Sequence, residues 1–310
     1  MNPGTFQGAG PGFIQQQGVQ RAFITSFSNT WTVPFTGNYF LVAVGGGGSG
    51  ANNNTGNTSR AGGGGAGGIV YKWAYLTANS KLIITIGAGG AGVTGISNGN
   101  VGGTTSVIGP GINLIATGGG GGTQANSGGT ATGGAGGVGS GGNINLTSGD
   151  GGGTNADGQA GGGGAVNLYG LSCNGASNSS YGGGGGVQMS GSGASGGSAW
   201  VDGTNYQEGV LSFNTGMNIF TILNPMGIRG NGPNYAPTTG SGSDGTYAAI
   251  TSSSSNATMA GSGGFQGNSA NGNTGRAFMG GGTGGAYNNG SGTTGTAGTG
   301  FFYALWTITQ

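Results

Sequence analysis

The chain has 310 residues, 87 of them glycine, and only 4% are charged; six basic and five acidic side chains give a formal net charge of +1. Arg21, Arg60, Lys72, Lys81, Arg229 and Arg276 stand singly, which excludes the clustered cations a nucleic-acid binder uses to displace counterions from phosphates. Histidine is absent, removing the usual general base and the commonest metal ligand, and the single Cys173 excludes a disulfide framework or thiolate metal site.

In chain order, Met1 to Gln20 is polar and interrupted by glycine and proline. It reads either as a disordered leader or as an arm that docks on other proteins. From Arg21 the character changes. Phe23, Thr25 and Phe27, then Trp31, Val33 and Phe35, alternate with the period of half-buried strands, and Pro34 puts the second run at an edge or turn. Tyr39 to Val44 is a continuous apolar run, as in a strand covered on both faces. Ile69 to Leu76 follows, with Ile69, Tyr71, Trp73 and Tyr75 on one face, and the turn Ala78-Asn79-Ser80 leads into Lys81 to Ile86. Shorter strands are expected at Thr105–Ile108 and Asn113–Ala116. Glycine then dominates to about Gly197, and Trp200 to Tyr247 is less rich in it. Phe301 to Thr309 closes the chain as a strong strand. Strong strands at both ends predict that the termini pair in one sheet. No window carries a sustained helical period, and no stretch approaches the roughly 20 apolar residues of a membrane helix. Met1 to Thr5 lacks the basic and apolar regions of a secretory signal, so synthesis in a cytoplasm is expected.

The glycine runs lie at Gly45–Gly48, Gly62–Gly65, Gly118–Gly122, Gly151–Gly153, Gly161–Gly164, Gly182–Gly186 and Gly280–Gly282. Glycine loses more conformational freedom on folding than any other residue, so something must offset that cost. Collagen would need glycine at every third position, and Lys81–Gly87 and Phe301–Thr309 break that period. Disordered chains are polar and strongly charged, whereas this one is 33% hydrophobic with the apolar residues clustered. The runs read as polyglycine-II helices packed side by side, or else as linkers or wide turns between strands. In Gly133-Gly134-Ala135-Gly136-Gly137-Val138 a threefold helix would turn Ala135 and Val138 outward and the glycines toward neighbours. The expected fold is therefore all-β with almost no helix: a short-stranded β-sandwich built from the N- and C-terminal segments, with a polyglycine-II layer and long loops. The arm would span 1–20 and a single glycine-rich domain 21–310, its β-rich base at 21–117 and 300–310 and its polyglycine and loop region at 118–299.

Little in the sequence points to catalysis. Gly45 to Gly50 satisfies GxGxxG after a strand, but Ala51 to Gly56 has loop composition where a dinucleotide site needs a helix. Asp150, Asp157, Asp202, Glu208 and Asp244 are the only acids available for paired-carboxylate hydrolysis, and they read as ordinary loop carboxylates or an isolated cation site. A non-enzymatic protein without cofactor or metal is expected.

Trp31 to Pro34, Tyr39 to Val44 and Gly45 to Gly48 resemble the opening of the glycine-rich domains of phage tail and surface proteins. The resemblance continues through Gly62–Gly68, the strands at Ile69–Leu76 and Leu82–Ile86, the segments Gly87 to Gly92 and Gly102 to Ser106, and the closing Gly280–Gly300 with Phe301–Ile308. The middle is similar to the adhesins of T-even-like phage tail fibres, in which loops between polyglycine-II helices contact the host. This implies a virion protein of a tail fibre, tip or receptor-binding apparatus, attached to other virion proteins through Met1–Gln20 and binding a host surface glycan or protein. The charge-poor surface adds the expectation of a homo-oligomer. Loop aromatics suited to sugar rings are Tyr169, Tyr181, Trp200, Tyr206, Tyr235, Tyr247, Phe265 and Tyr287. A purely structural virion protein, such as a decoration, collar or baseplate element, and a secreted glycine-rich filament remain the alternatives.

Overall fold

The computed structural model describes residues 19–55, 58–155, 159–160, 200–201, 205–206, 280–287 and 294–308. Its strands are β1 (Val19–Thr25), β2 (Asn29–Thr32), β3 (Gly37–Val44), β4 (Asn52–Asn53), β5 (Arg60–Ala61), β6 (Ile69–Leu76), β7 (Lys81–Thr85), β8 (Thr105–Gly109) and β9 (Ile112–Ala116). They continue with β10 (Gln124–Ala125), β11 (Gly139–Ser140), β12 (Ile144–Leu146), β13 (Gln159–Ala160), β14 (Trp200–Val201), β15 (Asn205–Tyr206), β16 (Ala286–Tyr287) and β17 (Phe301–Ile308). Among the described residues there is no helix, so none that could cross a membrane, and about 42% are strand: the fold is all-β.

Two five-stranded antiparallel sheets, ordered β1-β17-β3-β6-β12 and β11-β9-β8-β7-β2, face each other. The alternation of the sequence sets what lies between them. In β7, Leu82 and Ile84 turn inward while Lys81, Ile83 and Thr85 are exposed, and Val107 and Leu114 do the same on β8 and β9. They meet Tyr39, Leu41, Ala43, Val70, Phe302 and Ala304 of the other sheet in one core. The central strand β3 is buried from Tyr39 to Val44. Its second face carries Phe40, Val42 and Val44 in another apolar cluster with Ile69, Tyr71, Phe301, Tyr303 and Leu305. The continuous apolar run is thus explained by two covered faces.

The chain ends pair as the sequence predicts, from Val19 opposite Ile308 to Thr25 opposite Phe302. Aromatic rings lock that ladder to the second sheet. Phe23 stacks on Trp31 at 5.1 Å between centroids, and Trp306 packs on both Trp31 at 5.8 Å and Tyr39 at 5.4 Å. Pro110 and Gly111 form the turn between β8 and β9, where Gly111 takes a φ of 71° that is readily open to glycine.

The glycine runs continue the strands. Residues 45–51 leave β3 and 62–68 return to β6; 87–93 leave β7 and 97–103 return to β8; 117–123 leave β9 and 131–138 return to β11. Residues 148–154 leave β12, 294–300 return to β17, and 280–286 run parallel to 45–51, since β16 pairs in parallel with β4. Hydrogen bonds between these segments follow a simple rule. Gly45, Gly48 and Ala51 donate to the carbonyls of Gly68, Gly65 and Gly62, whereas Gly46, Ser49 and Asn52 donate to Gly103, Asn100 and Ser97. Gly47 donates to Gly298, and Gly50 to the hydroxyl of Thr283 at 2.9 Å. Donors three residues apart therefore share a neighbour in the first two sets, while Gly47 and Gly50 turn to two different segments, 294–300 and 280–286. That recurrence belongs to a backbone with three residues per turn and polar groups radiating outward, the polyglycine-II form. Carbonyls of the same segment accept from Gly119, Gly90, Thr283, Gly122 and Ala286, so 45–51 runs through the middle of the layer and is wholly buried.

At the glycine positions of this segment no larger residue fits the close approach of the backbones. A methyl group on Gly47 would overlap the carbonyl oxygen of Gly281, and one on Gly64 would overlap that of Gly48. In the outer segment 131–138, Ala131, Gly134 and Gly137 are buried while Thr132, Ala135 and Val138 are exposed, as the motif predicts. Threonine hydroxyls complete the seams: Thr105 accepts from Gly87 at 3.0 Å and Thr117 from Val138 at 2.8 Å. The layer draws on segments within 45–103 as well as on 117–154, 280–286 and 294–300, and so includes part of the chain that sequence reading assigns to the β-rich base. The reason is that β3, β6, β7 and β8 each have a glycine segment at one end, and all four lie in that part of the chain.

Candidate functional site

Among the described residues, the outgoing segments 45–51, 87–93 and 117–123 come back as 62–68, 97–103 and 131–138, so their connections lie at the end of the layer farthest from the sandwich. The described connections there include residues 52–55, 58–60, 94–96 and 124–130, with the ends of the segments that reach residues 155, 159 and 287. Short pairings gather them. β10 and β13 flank β5, β16 pairs with β4, and Asn52 bridges Ser97. The strands are short because the three-residue repeat gives way to turns at once.

The side chains that bond one another at this tip are amides, hydroxyls and the Arg60 guanidinium, with an exposed Ile96 beside them. The buried Asn53 sits at the centre: its Nδ2 donates to the Ala125 carbonyl at 2.7 Å, to Asn126 Oδ1 at 3.0 Å and to Gln124 Oε1 at 3.1 Å. Its Oδ1 accepts from the Thr55 hydroxyl at 2.8 Å and the Thr55 amide at 3.2 Å. Asn98 Oδ1 accepts the Gln124 N–H at 2.9 Å, and the buried Arg60 guanidinium donates to the Gly129 carbonyl. Asn53 thus holds loops that are distant in sequence in one fixed relation. The arrangement presents neutral donors and acceptors, which suits hydroxyl-rich or amide-rich partners.

The predicted site residues divide by location. Tyr169, Tyr181, Tyr235, Tyr247 and Phe265 lie outside the described residues, as do Asp157, Asp202, Glu208 and Asp244. Trp200 and Tyr206 are register partners across β14 and β15. Tyr287 pairs through its backbone with Asn53, which places it at the tip. Sequence reading missed Asn53, Thr55, Asn98, Gln124 and Asn126. Their signal was positional: each polar patch falls between two glycine segments that lead back to strands.

The GxGxxG run at 45–50 is used up within the layer. Its backbone donors bond to Gly68, Gly103, Gly298, Gly65, Asn100 and Thr283, leaving none to cradle a phosphate. Asp150 accepts the Gly136 N–H at 2.7 Å. Among the described residues no group of three or more acids, histidines or cysteines comes together. No protein-family model matches the chain, and a search of curated proteins finds no match.

Proposed function

We propose that this chain is a non-enzymatic phage virion protein of a tail fibre, tip or receptor-binding assembly, which binds the host surface through loops at the end of its glycine layer. One observation carries the reading: the glycine segments run out from the sandwich and back, so that their turns share one end of a cross-bonded layer. A scaffold of this kind lets loop sequences vary while their positions stay fixed, because a loop on a rigid base can change without disturbing the core. The amide and hydroxyl chemistry of the tip fits a surface glycan, with Tyr287 adding an aromatic residue there. The sandwich end, where β1 begins at Val19, would then face the particle, with Met1–Gln20 leading to other virion proteins.

The test is adsorption of the purified chain to whole bacterial cells of many strains, beside a variant in which residues 125–130 are replaced by a glycine-serine loop of equal length. Saturable binding to a narrow set of strains, lost in a variant that keeps the β-sheet circular dichroism of the parent chain, is the expected result. Undiminished binding by the variant would move the site off this tip. A well-folded protein that binds no strain would leave a purely structural virion role.

A further inference from the structure

Strand β6 is an unfinished edge. β12 covers it only from Ile69 to Tyr71. The Asn143 N–H then donates to the Tyr71 carbonyl at 2.8 Å, and Asn143 Oδ1 accepts the Trp73 N–H at 2.9 Å. In an antiparallel ladder alternate residues bond to opposite sides, so these contacts show that Tyr71, Trp73 and Tyr75 direct their backbone groups away from β3. Past Asn143, the Trp73 carbonyl and both backbone groups of Tyr75 have no partner among the described residues.

The two faces of this edge differ in chemistry. Outside, Trp73 is 51% and Tyr75 69% exposed, with Trp73 set against Phe40 at 5.0 Å between ring centroids. On the sandwich side, Lys72 lines a cleft of about 440 Å³ with Gly109, Gly111, Ile112, Asn113 and Gly141. The Lys72 ammonium makes no hydrogen bond or ion pair among the described residues, and the nearby chain offers it no acid.

We propose that this edge binds an extended polypeptide segment of another protein that alternates acidic and apolar side chains. A strand laid along Trp73 and Tyr75 takes up the open backbone groups by strand addition. Its side chains then point alternately to opposite faces. Those on the sandwich side reach Lys72, where a carboxylate forms a charge-assisted contact. Those on the outer side cover Trp73 and Tyr75, whose large apolar faces favour burial. A second copy of this chain is a poor occupant, because none of its described strands carries Asp or Glu and an apolar strand would bury the ammonium unpaired.

The experiment is fluorescence anisotropy with the full chain and a labelled peptide alternating Glu and Val, against a twin with Gln in place of Glu. An oligogalacturonate serves as competitor, and Lys72→Met and Lys81→Met are compared with the parent chain. The Glu peptide should bind roughly tenfold or more tightly than its Gln twin, as a charge-assisted contact implies. Lys72→Met should erase that difference, while Lys81→Met, altered on the exposed side of β7, should keep it. A parent chain that does not bind the Glu peptide or does not distinguish the twins overturns the proposal. So does a Lys72→Met chain that still distinguishes them. Displacement of the peptide by oligogalacturonate at lower concentration than by unlabelled peptide would reassign the cleft to acidic saccharides. None of these outcomes depends on host-cell adsorption, so the tip reading stands or falls separately.

Discussion

Gly47 and Ala135 show how one residue type can be indispensable at one place and optional at another. Both lie in three-residue repeats, but Gly47 is in the buried middle segment and Ala135 on the exposed side of an outer one. Gly47→Ala should cost about 1–3 kcal/mol or more, because the added methyl meets backbone that cannot rotate away. Ala135→Ser should change stability by less than about 0.5 kcal/mol, as surface substitutions usually do. Urea unfolding followed by circular dichroism checks both values. Tyr303 makes a second point at this scale. It is 4% exposed, and its hydroxyl has no hydrogen-bond partner among the described residues. Burial raises its pKa above the usual value of 10.0, so the folded chain holds the proton after the unfolded chain has lost it. That contribution is complete below pH 10 and is lost as pH rises beyond it. Tyr303→Phe should therefore be neutral or stabilising at pH 7 and should flatten the alkaline fall in melting temperature. A clear loss at pH 7 would mean that the hydroxyl has a partner.

At the level of elements, strands and glycine segments use the same backbone groups with different periods. A strand sends its donors to neighbours in one plane, whereas a threefold segment sends them in three directions and can build a layer. Amide exchange should record the difference. Along 45–52, Gly45 to Asn52 all donate hydrogen bonds, so every amide should be protected. Along 131–138, Ala131, Gly134 and Gly137 donate to neighbouring backbone, Thr132, Gly136 and Val138 donate to side chains, and Gly133 and Ala135 have no acceptor among the described residues. Gly133 and Ala135 should exchange fastest in that segment by hydrogen-exchange NMR. Uniformly fast exchange along both segments would show that the glycine runs do not form a bonded layer. The strands were legible because Leu82 and Ile84 alternate with Lys81, Ile83 and Thr85. Trp73 and Tyr75 were legible as sharing a face with Ile69 and Tyr71, but not as exposed. Exposure depends on what crosses that face, which periodicity does not encode.

For the whole molecule, an all-β fold, the pairing of the terminal strands and an ordered use of backbone that offsets the cost of glycine were all readable from the residues alone. Those conclusions follow from local chemistry: apolar alternation, the absence of a helical period, and three-residue spacing such as that of Ala135 and Val138. Tertiary structure alone decided which glycine segment lies in the middle, that Asn53 gathers Gln124, Ala125 and Asn126 at the tip, and that Lys72 lines a cleft beside an open edge. Glycine segments carry no side chains to distinguish one partner from another. Their neighbours are chosen by the strands and threonines at their ends, and those choices are made across the whole chain at once.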